Sequence, residues 1–212
     1  MNKKIAIAAG LVLFLATAAF FYFVGTQQPV SNSKTIAPKT DNSFSKEEKT
    51  AAERNGPEQT IYPYVGEDFS IVSPDGWIQA QLPSTLVSFL NSRETHPDGS
   101  AAAKVNFKSY MAITFDNTNG QSLEEIAESV KQQVSGVVPG VKFSETIGNI
   151  NGQPAKFFEA DFDQQNIAFK VMIVIVAKGD KYFTIFANTT AEKWPQYRQS
   201  FYDSAASFKF KY

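Results

Sequence analysis

Residues 142–188 read KFSETIGNI, NG, QPAKFFEADF, DQQN, IAFKVMIVIVA, KGD and KYFTIFAN in succession, four apolar-rich runs separated by three short polar turns. Asn-Gly between two such runs is the strongest short-range hairpin signal, because a type I′ turn needs positive φ at both central residues. The spacing predicts an antiparallel meander of four strands: Lys142 to Ile150, Gln153 to Phe162, Ile167 to Ala177 and Lys181 to Asn188. After Lys170 the third run is apolar on both parities, the pattern of a central strand covered on both faces. Helices must then flank both sides of the sheet.

Working outward, Ser122-Leu123-Glu124-Glu125 forms a capping box, with Ser122 as cap and Glu125 as its reciprocal acceptor. Leu123, Ile126, Ala127, Val130 and Val134 follow at helical spacing, and Gly136, Pro139 and Gly140 are expected to stop the helix. Upstream, Val105, Phe107, Ser109, Met111, Ile113 and Phe115 alternate with polar residues, predicting one long half-buried strand. Asn91 to Lys104 shows no periodicity and reads as a loop. Before it come a strand over Asp68 to Ser73, the turn Pro74-Asp75-Gly76, an alternating run Ile78, Ala80, Leu82, and a short strand over Leu86 to Leu90. The last helix is predicted over Pro195 to Ala206, with Pro195 at its first position and a stripe of Tyr197, Phe201 and Ala205, followed by the packing residues Phe208 and Phe210. The fold class is therefore α+β, an α-β-α sandwich with a mainly antiparallel sheet.

The N-terminal part is of another kind. Residues 1–4 form a short cytoplasmic segment, and residues 5–24 are uncharged and almost wholly apolar. About 20 helical residues reach ~30 Å, the thickness of the hydrocarbon core, so the sequence predicts one transmembrane signal anchor ahead of the sandwich. Lys3 and Lys4 precede it and the next charge is Lys34, which keeps the N-terminus cytoplasmic and sends the rest across a cell membrane. Tyr22 suits the outer interface. Ala16-Thr17-Ala18 also has the form of a signal-peptidase site, the alternative being secretion after cleavage. A cut there would leave Ala19 to Val24 as an exposed apolar terminus, which favours retention. Residues 25–60 are rich in Ser, Thr, Asn, Lys, Glu and Pro and are expected to form a flexible linker, on the order of 35 Å end to end. Ser45-Lys46-Glu47-Glu48 has capping-box spacing but no apolar face follows it, so it reads as a solvated charge run. Residues 61–212 form the one soluble domain.

Composition removes many chemistries. The chain has 20 basic and 21 acidic residues, a formal net charge of −1 that provides no field for nucleic acid. It has no cysteine, hence no disulfide, thiolate nucleophile or lipoprotein anchor, and a single histidine, His96, which is too few for a histidine metal cluster. There is no Gly-x-Ser-x-Gly elbow, Walker loop or dinucleotide fingerprint. No cofactor is expected. Among candidate groups, His96 in His96-Pro97-Asp98-Gly99 reads as a solvated turn residue. Asp161, Asp163 and Asn166 could offer oxygens to calcium, but turns favour the same residues. Glu159 and Asp161 share a strand face as a glycosidase pair does, and they also suit a solvent face. Tyr62, Tyr64, Trp77, Trp194 and Tyr197 could line a ligand groove or fill a sheet–helix core.

In order along the chain, Phe69-Ser70-Ile71-Val72-Ser73-Pro74-Asp75-Gly76-Trp77, Ser122-Leu123-Glu124-Glu125, Ile150-Asn151-Gly152-Gln153-Pro154-Ala155 and Ser204-Ala205-Ala206-Ser207-Phe208 resemble the PsbP-like fold family. That family is named for the extrinsic subunit of photosystem II and includes a Ran-binding nuclear import factor and many bacterial solo domains. The resemblance covers about residues 61–212. It implies an α-β-α sandwich that binds or stabilises protein partners and has no catalytic site common to the family. The chain departs from photosystem PsbP in its N-terminal apolar helix and in having no plant transit peptide, and no partner-binding residue can be matched, so no photosynthetic role is carried over. The expectation is a membrane-tethered, non-catalytic binding or assembly module for an envelope protein or small ligand. The alternatives are a carboxylate-dependent hydrolase acting on envelope material and a permanent structural subunit of a membrane complex.

Overall fold

A computed structural model describes residues 63–211. The expected anchor, linker, Ser45–Glu48 motif and Tyr62 lie outside the described residues. In chain order the elements are β1 (Tyr64–Val65), β2 (Phe69–Ile71), β3 (Ile78–Ala80), β4 (Val87–Leu90), α1 (Ala101–Lys104), β5 (Tyr110–Asn117), α2 (Leu123–Val137), β6 (Lys142–Ile150), β7 (Gln153–Gln164), β8 (Ile167–Lys178), β9 (Lys181–Thr190), α3 (Trp194–Ala206) and β10 (Lys209–Phe210). Seven strands form one antiparallel sheet in the order β3-β4-β5-β9-β8-β7-β6, and β1-β2-β10 form a small second sheet. The chain leaves β5, crosses along α2 to the far edge, and returns through the meander until β9 closes against β5.

The meander follows its turn chemistry. Asn151 and Gly152 both have positive φ, 48° and 86°, as a type I′ hairpin requires. The second turn is tighter than the four residues expected: β7 runs on to Gln164, and only Gln165 and Asn166, both at positive φ, make the reversal. Along β8 alternate residues enter two separate cores. Phe169, Val171, Ile173 and Ile175 pack with Ile126, Ala127, Val130 and Val134 of α2. Met172, Val174 and Val176 pack with Trp194, Tyr197, Phe201 and Ala205 of α3 and with Phe69 and Ile71 of the small sheet. The architecture is thus α+β in three layers around an antiparallel sheet.

Four local expectations are corrected. The loop over 91–104 contains a one-turn helix, α1, whose cap Ser100 accepts from the Ala103 N–H. The strand expected from Val105 begins only at Tyr110, because Val105 and Asn106 end that helix, Asn106 at positive φ. Over Tyr110 to Ile113 the strand is buried on both faces rather than one, being covered from both sides, while Phe115 near its far end is 46% exposed and lies under Lys181. Gly136 lies within α2, which runs on to Val137 before Pro139 and Gly140 stop it.

Candidate functional site

Odd-numbered residues of β7 face α3, which is why Glu159 and Asp161 share that side. Asp161 is directly opposite Lys170 on β8, and Glu159 is one diagonal step away. Lys170 Nζ bridges them, 3.3 Å from Glu159 Oε2 and 3.2 Å from Asp161 Oδ1. From above, Arg198 and Tyr202 are one helical turn apart on α3 and reach the same carboxylate. Arg198 donates from Nε at 3.0 Å, with Nη2 at 2.9 Å, and Tyr202 Oη donates at 2.9 Å, all to Glu159 Oε1. Both oxygens of Glu159 are engaged, and its side chain is only 16% exposed.

The electrostatics follow from this crowding. Burial works against the Glu159 charge, but the donors Tyr202, Arg198 and Lys170 together outweigh it and hold the carboxyl below its ordinary pKa. Burial, reinforced by the adjacent carboxylate, pushes the Tyr202 hydroxyl up to about 12. Lys170 is raised: its burial opposes the charge, and Asp161 and Glu159 overcome it. An ionised, fully bonded Glu159 can neither protonate a leaving group nor offer a free lone pair to a sugar carbon. Chemically the arrangement is a clamp between helix and sheet.

The aromatic residues divide. Trp77 meets Tyr197 and Phe201 nearly at right angles, with centroids 5.6 and 5.5 Å apart, and Trp194 lies 6.0 Å from Phe201. These residues close around the Phe201 ring, a core arrangement. Tyr64 packs elsewhere, on Phe69 of the small sheet. Beside the clamp, Phe157 stacks on Tyr202 at 6.2 Å and the Arg198 guanidinium lies 4.9 Å over the Tyr202 ring. The Phe157 ring also covers Gly148, where a Cβ would approach Phe157 Cε2 to 2.5 Å.

A second polar cluster had no sequence signal. Glu94, 4% exposed, sits in the loop before α1 and accepts from the Ser109 N–H. Ser109 Oγ is 2.9 Å from Glu94 Oε1 and 2.7 Å from Thr189 Oγ1. With its one proton on the carboxylate, Ser109 accepts from Thr189. Lys108 donates to the Glu94 carbonyl, and Asn91 Nδ2 donates to Tyr197 Oη at 2.8 Å, tying this loop to α3. Burial and then the Glu94 charge raise the Tyr197 pKa. No spacing could have joined Glu94 to Ser109 and, through it, to Thr189, since Ser109 lies 15 residues beyond Glu94 and Thr189 lies 80 beyond Ser109.

His96 is also corrected. It is half-buried rather than solvated, with Nε2 3.0 Å from the Phe107 carbonyl, so Nε2 carries the proton. Its Nδ1 is buried without a partner among the described residues. Asp161 is spoken for by Lys170, Asp163 is exposed and Asn166 is a turn residue. Among the described residues no group of three His, Cys, Asp or Glu could hold a metal ion.

No family model and no curated protein matches the chain. Solved structures do. Cyanobacterial PsbP from Synechocystis superposes with a TM-score of 0.54 at 14% identity, over 75% of this chain and 98% of its own. LpqN of Mycobacterium tuberculosis, a protein involved in cell envelope biogenesis, gives 0.57 at 9% identity, over 74% and 88%. The fold is PsbP-like.

Proposed function

We propose that this chain is a membrane-tethered, extracytoplasmic binding or assembly module that performs no covalent chemistry and engages an envelope protein or small ligand. The observation that carries the reading is the state of Glu159. The Glu159 carboxylate is consumed by Lys170, Arg198 and Tyr202 in joining α3 to the sheet, so the pair that suggests a hydrolase acts as a structural strut. The fold is consistent with this, since non-catalytic binding is the general habit of PsbP-like domains, and one structural neighbour is involved in cell envelope biogenesis. The apolar run at 5–24 supplies the tether, and the net charge of −1 gives no reason to expect nucleic acid.

The test is an affinity purification of the full chain from solubilised envelopes, run beside an Asp161→Ala variant. Asp161 is half-exposed and its loss leaves the Glu159 clamp standing. A specific partner retained equally by both chains supports the module. A phenotype lost with Asp161→Ala while the fold and partner are kept would favour the hydrolase. Stoichiometric co-purification under every growth condition would identify a permanent subunit.

A further inference from the structure

The two edges of the seven-stranded sheet are built differently. β3 is three residues long and flanked by Pro74 and Pro83, so it offers almost nothing to a further strand. β6 is nine residues long, pairs with β7 in unbroken register from Lys142 to Ile150, and has no proline or bulge. Among the described residues nothing pairs with its outer side. Its only basic residue is Lys142, at the first position, and Ile147 near its middle is 73% exposed. Soluble proteins ordinarily blunt so long an edge, because its unpaired N–H and C=O groups are a template for another strand.

The turn fixes which groups point outward. In a two-residue type I′ hairpin the flanking residues, here Ile150 and Gln153, exchange both backbone bonds. Even-numbered residues of β6 therefore turn their amides to β7, and Phe143, Glu145, Ile147 and Asn149 turn theirs outward. We propose that β6 pairs antiparallel with β6 of a second copy of this chain about a two-fold axis at Ile147, joining the two sheets edge to edge. In that register Ile147 meets Ile147, and Glu145 faces Asn149, a carboxylate opposite an amide donor. Sliding the copies by two residues sets each Ile147 against a Glu145 in one direction and against an Asn149 in the other. Sliding by four either pairs each Ile147 with Phe143 while opposing the two Glu145 carboxylates, which is repulsive, or pairs the two Asn149 and sets each Ile147 against Asn151 of the turn. The central register alone buries the exposed isoleucines and opposes no like charges. This pairing stands apart from the proposed function, because it needs no other protein.

The chain has no cysteine, so single cysteines report the geometry directly. Directly opposed residues in an antiparallel pair lie within the Cα separation that a disulfide spans. In the full chain in detergent, mild oxidation should link Ile147→Cys into a dimer and leave Gln79→Cys on the β3 edge unlinked. A mixture of Glu145→Cys and Asn149→Cys chains should cross-link, and Glu145→Cys alone should not. By analytical ultracentrifugation the parent chain should show a concentration-dependent dimer, weakened at least tenfold by Ile147→Lys, a side chain already in solvent. A parent chain monomeric at all concentrations with no Ile147→Cys dimer would overturn the proposal, as would Glu145→Cys linking to itself in preference. An Ile147→Cys product with a different protein in intact envelopes would replace the second copy by that partner.

Discussion

On one face of the sheet α2 lies over β7 and β8, held by its own stripe of Ile126, Ala127, Val130 and Val134. On the other, α3 lies over β8 and β9, held by Phe201 among Trp77, Trp194 and Tyr197 and by the Glu159 clamp. Both helices cover aromatic strands, yet their anchoring differs in range. The ion pairs of α2 sit at its rim, where Lys156 joins Glu124 and Glu145, and Lys131 joins Glu128 and Glu145. Its start is fixed within four residues by Ser122 and Glu125. α3 has no side-chain cap at its start and is fixed by residues from β7, β8 and the turn at Trp77. One helix carries its own specification, and the other borrows it from across the chain.

The largest losses follow from the borrowed anchors. Phe201→Ala removes a fully buried ring on which Trp77, Trp194 and Tyr197 converge, and should cost about 3–5 kcal/mol in denaturant unfolding. Next, Gly148→Ala should cost roughly 1–3 kcal/mol, because the added methyl drives Phe157 off Tyr202. Gly148→Ala combined with Phe157→Leu should lose less than Gly148→Ala alone, since the smaller side chain leaves room for the methyl.

Glu159→Gln should cost on the order of 1–3 kcal/mol at pH 7, since Arg198 and Lys170 lose their carboxylate. The pH dependence has a definite sign. Folding lowers the Glu159 pKa below the ordinary 4.5, so its contribution is full above that value and is lost as pH falls through the depressed folded value. Acid unfolding of the parent chain should therefore be steeper than that of Glu159→Gln, and equal slopes would mean that the Glu159 charge does not stabilise the fold.

The α2 side should respond less. Ser122→Ala loses the cap and should cost ~1 kcal/mol. Glu128→Ala breaks only an i,i+3 pair at the surface and should stay within about 0.5 kcal/mol. A Ser122→Ala loss equal to that of Phe201→Ala would erase the distinction between the two faces.

The same difference in range governs how much could be read beforehand. The capping box, the Asn-Gly hairpin and the doubly apolar β8 each act between residues close in sequence, and each was readable from spacing. Glu94 was not, because its partner Ser109 stands just ahead of β5 and the Thr189 that Ser109 contacts belongs to β9. The pairing of Glu159 with Asp161 on one face was readable from the period of two. Its consequence was not, since Arg198 and Tyr202 arrive from a helix 39 and 43 residues later. Phe115 followed the apolar alternation yet faces solvent, because alternation specifies a face and not whether a neighbour covers it.

By itself the sequence determined the α+β class, the Asn-Gly turn of the meander, the cap and buried stripe of α2, and the absence of thiol and histidine-cluster chemistry. Those follow from local sterics, from periodicity and from residue types present or missing. Only the tertiary structure decided that β6 and β3 end the sheet among the described residues, that one of these edges is long and unpaired there, and that the carboxylate pair is locked in a clamp. The reason is physical: which strand ends a sheet and which charges meet across it depend on the closure of β9 against β5, a contact between segments some 70 residues apart.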